Sequence, residues 1–147
     1  MKIIIDTNIV FSALLNPIGQ IGELIINAPE NIELYAPDFL RIELKKHNAK
    51  LLKLSKLSEP ALDELIYLIT RNIRSISEEQ IPSEVWAATE NILQNIDIKD
   101  TAFVALAKWS EGYLWTGDKK LVGGLTATNF VKCVSTIDFI SLHKQDK

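Results

Sequence analysis

Cysteine is almost missing: Cys133 stands alone among 147 residues, so no disulfide can form within the chain. In the short apolar run Val131-Lys132-Cys133-Val134 it reads as a small core residue. No window approaches roughly 18 uninterrupted apolar residues, and the N-terminus lacks the basic start and apolar stretch of a signal peptide. Both absences point to a cytoplasmic protein with no membrane span. The two histidines, His47 and His143, are too far apart in sequence to make a metal-binding pair. A Gly-rich phosphate loop ending in Lys-Ser/Thr and a serine nucleophile elbow are lacking as well, which removes the common nucleotide-hydrolase and esterase motifs. Charge of neither sign dominates. A net charge of −3 gives no general attraction to nucleic acid, so any such binding has to use a local patch, a metal or a basic partner. Repeats and low-complexity linkers are also missing. With 47% hydrophobic and 24% charged residues, residues 1–147 read as one soluble domain, long enough to bury roughly two thirds of its unfolded surface.

What is present is an alternation of short apolar runs with stretches of helical period, the pattern of an α/β fold. Lys2-Ile3-Ile4-Ile5 reads as a strand whose three β-branched isoleucines suit burial on both faces of a parallel sheet. A helix over Thr7 to Leu15 follows and breaks at Asn16-Pro17-Ile18-Gly19, before a second helix near Gln20 to Asn27. Ile32 to Ala36 alternates like a strand, and Pro37-Asp38 supplies the start of a helix over Phe39 to His47. Ser58-Glu59-Pro60 opens another, in which Leu62, Leu65, Ile66, Ile69 and Ile73 form a continuous stripe suited to core or to an interface. Ile73 to Ile76 reads as a strand. Pro82-Ser83 opens a helix to about Asn95 that buries Trp86, Ala87, Ile92 and Leu93. The small residues Ala102, Ala105 and Ala107 suit a helix lying close on the sheet. Gly112 to Trp115 and Val131 to Val134 read as strands, Lys119 to Val122 as a helical turn stopped by Gly123-Gly124, and Thr136 to Ile140 as a closing helix.

Acids recur where the chain leaves its strands, and parallel sheets place ligands outside the carboxyl ends of their strands. Asp6-Thr7-Asn8 follows the first strand, with Thr7 and Asn8 able to hydrogen-bond the carboxylate or cap the next helix. Thr116-Gly117-Asp118 follows the fourth, where Thr116 can hydrogen-bond a neighbouring carboxylate and Asp118 can start a helical turn. Glu43 lies one turn beyond Phe39. Asp97 and Asp100, three apart, share a helix face. They fit a capping box in which Asp97 is the N-cap, and they fit a ligand pair equally well. Several carboxylates brought together repel and resist ionisation unless a cation neutralises them, which a hard divalent ion does through oxygen ligands. Lys45, Lys46, Lys50, Lys53 and Lys56 make 45–56 the most basic segment. It reads as a solvated helical face or as a patch for an RNA backbone, to which Lys119 would add.

Together, Asp6-Thr7-Asn8, Glu43, Asp97 with Asp100 before Ala105-Leu106-Ala107, and Thr116-Gly117-Asp118 resemble the PIN-domain family over essentially the whole chain. The resemblance is closest to small prokaryotic members regarded as toxin components of toxin–antitoxin systems, related to VapC-like toxins. It implies a three-layer α/β/α fold with a short, mostly parallel sheet, and a ribonuclease site of carboxylates holding Mg²⁺ or Mn²⁺. Asp6, Glu43, Asp100 and Asp118 match its catalytic acids. Asp6, Asp100 and Asp118, with Asp97 as the additional acid, match its metal ligands, and Asn8 and Thr116 would support them. An RNA substrate, a small antitoxin and a homodimer or higher homo-oligomer follow from the same resemblance. The competing readings are an inactive PIN module serving as a protein-interaction or metal-binding domain, and a phosphohydrolase with an aspartyl intermediate. Asp6-Thr7-Asn8 speaks against the second, because it lacks the acid expected two residues after a phosphatase nucleophile.

Overall fold

A computed structural model describes residues 1–145; residues 146 and 147 lie outside it. Strands β1 (Lys2–Ile5), β2 (Glu33–Pro37), β3 (Ile73–Ile76), β4 (Tyr113–Trp115) and β5 (Cys133–Val134) form one sheet in the order β3-β2-β1-β4-β5. Every neighbouring pair is parallel. β1 takes the centre because it can be buried from both sides: Ile3, Ile4 and Ile5 are each 0% exposed. Its register sets Ile4 opposite Tyr35 on one flank and Leu114 on the other.

Helices α1 (Thr7–Leu15), α2 (Gln20–Ile26), α3 (Phe39–Lys46), α4 (Asn48–Ser55) and α5 (Glu59–Thr70) pack on one another, as do α6 (Ser83–Leu93), α7 (Thr101–Ser110) and α8 (Lys119–Thr128). Right-handed crossovers put the first group on one face of the sheet while the chain steps from β1 to β3. They put the second on the other face, as the chain returns to lay β4 and β5 beside β1. The result is the expected three-layer α/β/α arrangement. α7 lies across β1, β2 and β4 and is buried from Thr101 through Ala107, with its three alanines permitting the close approach. Strand order reverses between β1 and β4, and in parallel α/β sheets ligands bind at the carboxyl ends of strands at such a switch point.

Several local expectations change. Gly123-Gly124 does not stop α8, which runs through to Thr128. Gly124 is a contact residue: a Cβ there would lie 2.1 Å from Ile96 Cδ1. Asp38 makes no side-chain cap for α3; the Phe39 N–H instead donates to Glu78 Oε1 at 2.7 Å, from a turn 39 residues away. α6 ends at Leu93 and turns Thr89 and Leu93 inward, leaving Ala87 exposed. The closing helix α9 extends over Thr136–Gln145. On α5, Leu62 and Ile69 are buried, Leu65 and Ile66 pack against the core, and Ile73 belongs to β3. The stripe is therefore spent on the core, and the helix shows solvent Tyr67 and Leu68. Beside Tyr67 runs a groove of about 590 Å³ lined by Leu44, Ile66, Thr70, Arg41 and Arg71. Cys133 is half-buried against the core, and burial pushes its thiol up to about 11. Among the described residues, no single helix is long and apolar enough to cross a membrane. α1 and α2 reach that length and apolarity only together, and they are bent by 109°.

Candidate active site

Strand β1 delivers Asp6 to the carboxyl end of the sheet, and the Asp6 N–H continues the sheet by donating to the Trp115 carbonyl at 3.1 Å. One strand over, β4 ends on Trp115 and is followed by Thr116, which is 1% exposed. The Thr116 hydroxyl donates to Asp6 Oδ2 at 2.8 Å and accepts the Asp118 N–H at 3.1 Å. A single hydroxyl thus ties both strand ends and is fixed in orientation by having a donor and an acceptor. Asp118 is the N-cap of α8, its Oδ1 accepting the N–H groups of Lys120 and Leu121 at 3.0 and 3.1 Å.

Glu43 arrives from α3. The Thr7 hydroxyl donates to Glu43 Oε1 at 2.6 Å. Asp97 and Asp100 come from the turn before α7, where the spacing had left cap and ligand equally open. Asp97 is a cap, its Oδ1 accepting the Lys99 N–H at 3.0 Å across the 3₁₀ turn Ile98–Asp100. Asp100 occupies the N-cap position of α7 but makes no side-chain cap bond, and its Oδ2 is buried without any hydrogen-bond partner among the described residues.

Buried polar atoms are nearly always satisfied, so a carboxylate oxygen left bare is a strong departure. Its electrostatics agree. Burial, then Asp6, Asp97, Asp118 and Glu43, push the Asp100 carboxyl from 3.8 up to about 7. Burial also raises Asp6, against the opposing hydrogen bonds from Thr116 and the Thr7 N–H, with Glu43 and Asp118 adding to the rise. Helices α1, α7 and α8 begin at Asp6, Asp100 and Asp118, so three positive helix ends converge on the acids and offset part of the repulsion.

The donor set is all oxygen and strongly anionic, which fits a hard divalent cation. Among the described residues, no group of three or more His, Cys, Asp or Glu side chains stands close enough together to hold a metal ion. A few carboxylates with water filling the remaining positions is the arrangement magnesium favours, and the bare Asp100 oxygen is a suitable donor.

The fold therefore assembles Asp6, Glu43, Asp97, Asp100 and Asp118 in one electrostatic neighbourhood, with Thr116 among them. Asn8 is exposed and makes no side-chain hydrogen bond among the described residues; its carbonyl accepts from Ser12. Lys45 and Lys46 end α3, Lys50 and Lys53 lie on α4, and all four are exposed. Lys119 is exposed beside Asp118, and Lys99, which the run of lysines at 45–56 had overshadowed, is exposed between Asp97 and Asp100. The bond from Thr7 to Glu43 had no sequence signal beyond the presence of a hydroxyl next to Asp6.

A family model described as PIN domain matches residues 4–139. The fold is similar to that of VapBC2 from Rickettsia felis, solved bound to a DNA fragment from its promoter. The TM-score is 0.69 at 13% identity, covering 92% of this chain and 98% of that one. VapBC-1 from nontypeable Haemophilus influenzae gives a TM-score of 0.69 at 18% identity, covering 93% and 99%. No curated protein matches the chain significantly in sequence.

Proposed function

The chain belongs to the PIN domain family, and from that premise we propose that it is a divalent-metal-dependent endoribonuclease and the toxin of a toxin–antitoxin pair. The observation that carries this reading is the buried, unpartnered Asp100 oxygen held among four other acids at the switch point of the sheet. Asp6, Asp100 and Asp118, with Asp97 beside them, would hold Mg²⁺ or Mn²⁺. Bound there, the ion would polarise the scissile phosphate, lower the pKa of the attacking water and stabilise the leaving oxygen.

The chain's own groups do the rest. Thr116 holds Asp6 and the Asp118 turn in fixed relation. Glu43, outside the Thr116 linkage, would accept the proton of the water that attacks phosphorus, as the bond from phosphorus to the ribose oxygen breaks. Lys119 and the lysines of 45–53 supply the positive charge for an RNA backbone that the net charge does not. The fold likeness to VapBC2 and VapBC-1 supports a small antitoxin partner; that this partner covers the acids, and that the chain self-associates, belong to the same proposal. A cytoplasmic location accords with that pairing.

The test is cleavage of a single-stranded RNA oligonucleotide. Purified protein is expected to cut only with Mg²⁺ or Mn²⁺, and Asp6→Asn to abolish cutting. Equal cutting after chelation, or full activity in Asp6→Asn, overturns the mechanism. A protein that binds Mn²⁺ but never cuts returns the inactive-module reading.

A further inference from the structure

We propose that Thr7 is a positioning residue for Glu43, setting through its side-chain hydroxyl where that carboxylate stands beside Asp6. The inference rests on the nuclease reading above and adds a role that neither the acids nor their order assigns. Glu43 belongs to a different strand–helix unit from Asp6, on a half-exposed stretch of α3, and its long side chain has rotamers to choose from. What selects one is the 2.6 Å bond from Thr7 Oγ1, a contact spanning 36 residues.

Thr7 is suited to that work in three respects. It is 4% exposed, and its β-branched side chain has few rotamers. As the first residue of α1 it has no preceding helical turn whose carbonyl would claim the hydroxyl, the usual fate of a helical threonine. It also follows Asp6 directly in the chain, so the residue that grips Glu43 is covalently joined to the acid at the end of β1. One residue therefore connects the two acids: it is Asp6's neighbour in the chain, and its side chain holds Glu43. With Thr116 on the other flank of Asp6, two hydroxyls link Glu43, Asp6 and Asp118 across the ends of β1 and β4 and the middle of α3.

The side chain and the backbone of Thr7 can be separated by substitution, because Thr7→Val removes the donor and leaves shape and N–H in place. Mn²⁺ binding by calorimetry, the melting temperature, and kcat and KM on a single-stranded RNA oligonucleotide are measured for Thr7→Val, Thr7→Ser, Glu43→Gln and the double variant. If Thr7 acts through Glu43, Thr7→Val lowers kcat about 10- to 100-fold, the scale of a misplaced reacting group. Mn²⁺ affinity and KM stay close to wild type, and Thr7→Ser recovers most of kcat. In the Glu43→Gln background, Thr7→Val adds nothing, since interacting residues are non-additive. Should Thr7→Val not fold, Thr7→Ala carries the same comparisons. Full additivity with Glu43→Gln, a loss of Mn²⁺ affinity as large as the loss of kcat, or wild-type kcat in Thr7→Val each overturns the inference. A wild-type protein that neither binds Mn²⁺ nor cuts RNA overturns instead the nuclease reading beneath it.

Discussion

Asp118 shows how one side chain can serve fold and site together, and how substitution can divide the two. Its Oδ1 caps α8 while its charge bears on Asp6 and Asp100. Asparagine caps a helix about as well as aspartate but carries no charge. Asp118→Asn is therefore expected to abolish metal-dependent cleavage with a melting temperature near wild type, whereas Asp118→Ala should also lose about 0.5 to 2 kcal/mol of stability. Denaturant titration beside the RNA assay checks both, and an active Asp118→Asn would leave Asp118 as a cap alone. Asp6, Asp97, Asp100 and Asp118 were legible because each follows a strand or opens a helical turn, whereas Glu43, in the middle of α3, was reached only through the resemblance. The division of labour among the acids was not legible. Spacing of three suits a cap and a ligand alike, and only the observed hydrogen bonds separate Asp97, which caps, from Asp100, which does not.

Among the elements, local pattern located nearly every strand and helix start, since β-branched runs and Pro, Ser and Asp boundaries act over a few residues. Ends and caps that depend on distant partners were missed. The α3 cap comes from Glu78, and α8 passes through two glycines because Gly124 meets Ile96. No sequence window spans those distances. The glycines now part company. Gly123 is exposed in mid-helix with nothing within 4 Å of a Cβ, so Gly123→Ala should stabilise by about 0.5 to 1 kcal/mol through helix propensity and chain entropy. Gly22 in α2 is the opposite case. A Cβ there would lie 2.3 Å from the Pro17 carbonyl oxygen, which is backbone and has little room to yield. Gly22→Ala is expected to destabilise by about 1 to 3 kcal/mol, the cost of overpacking, and equal effects of the two substitutions in urea titrations would refute the distinction.

For the whole molecule, the decisive property is the reversal of strand order between β1 and β4, which gathers acids separated by more than a hundred residues. The alternation of elements made the α/β class readable; the order of strands, set by crossovers and packing, could only be inferred from resemblance. Gathering those acids leaves the metal-free fold with an electrostatic load that pH should reveal. Asp100, raised from 3.8 to about 7 by burial and then by Asp6, Asp97, Asp118 and Glu43, holds its proton in the folded chain where the unfolded chain has lost it. Its contribution to stability is thus fully present below the unfolded pKa and is lost as pH rises through the folded one. Metal-free protein should lose stability between about pH 4 and pH 7, with Asp6, also raised, acting in the same direction. Adding Mg²⁺ at pH 7 should restore it by mass action, by about 2.7 kcal/mol at a hundredfold excess over the dissociation constant. Asp100→Asn should flatten the decline, leave metal-free protein at least as stable at neutral pH, remove the gain from Mg²⁺ and end cleavage. Asp97→Asn, altering a residue that caps, should cost less activity. Melting curves across pH with chelator and with Mg²⁺ decide the matter: a stability loss in Asp100→Asn the size of a lost cap, with Mg²⁺ still protecting the variant, would show that the bare oxygen is not where the cation binds.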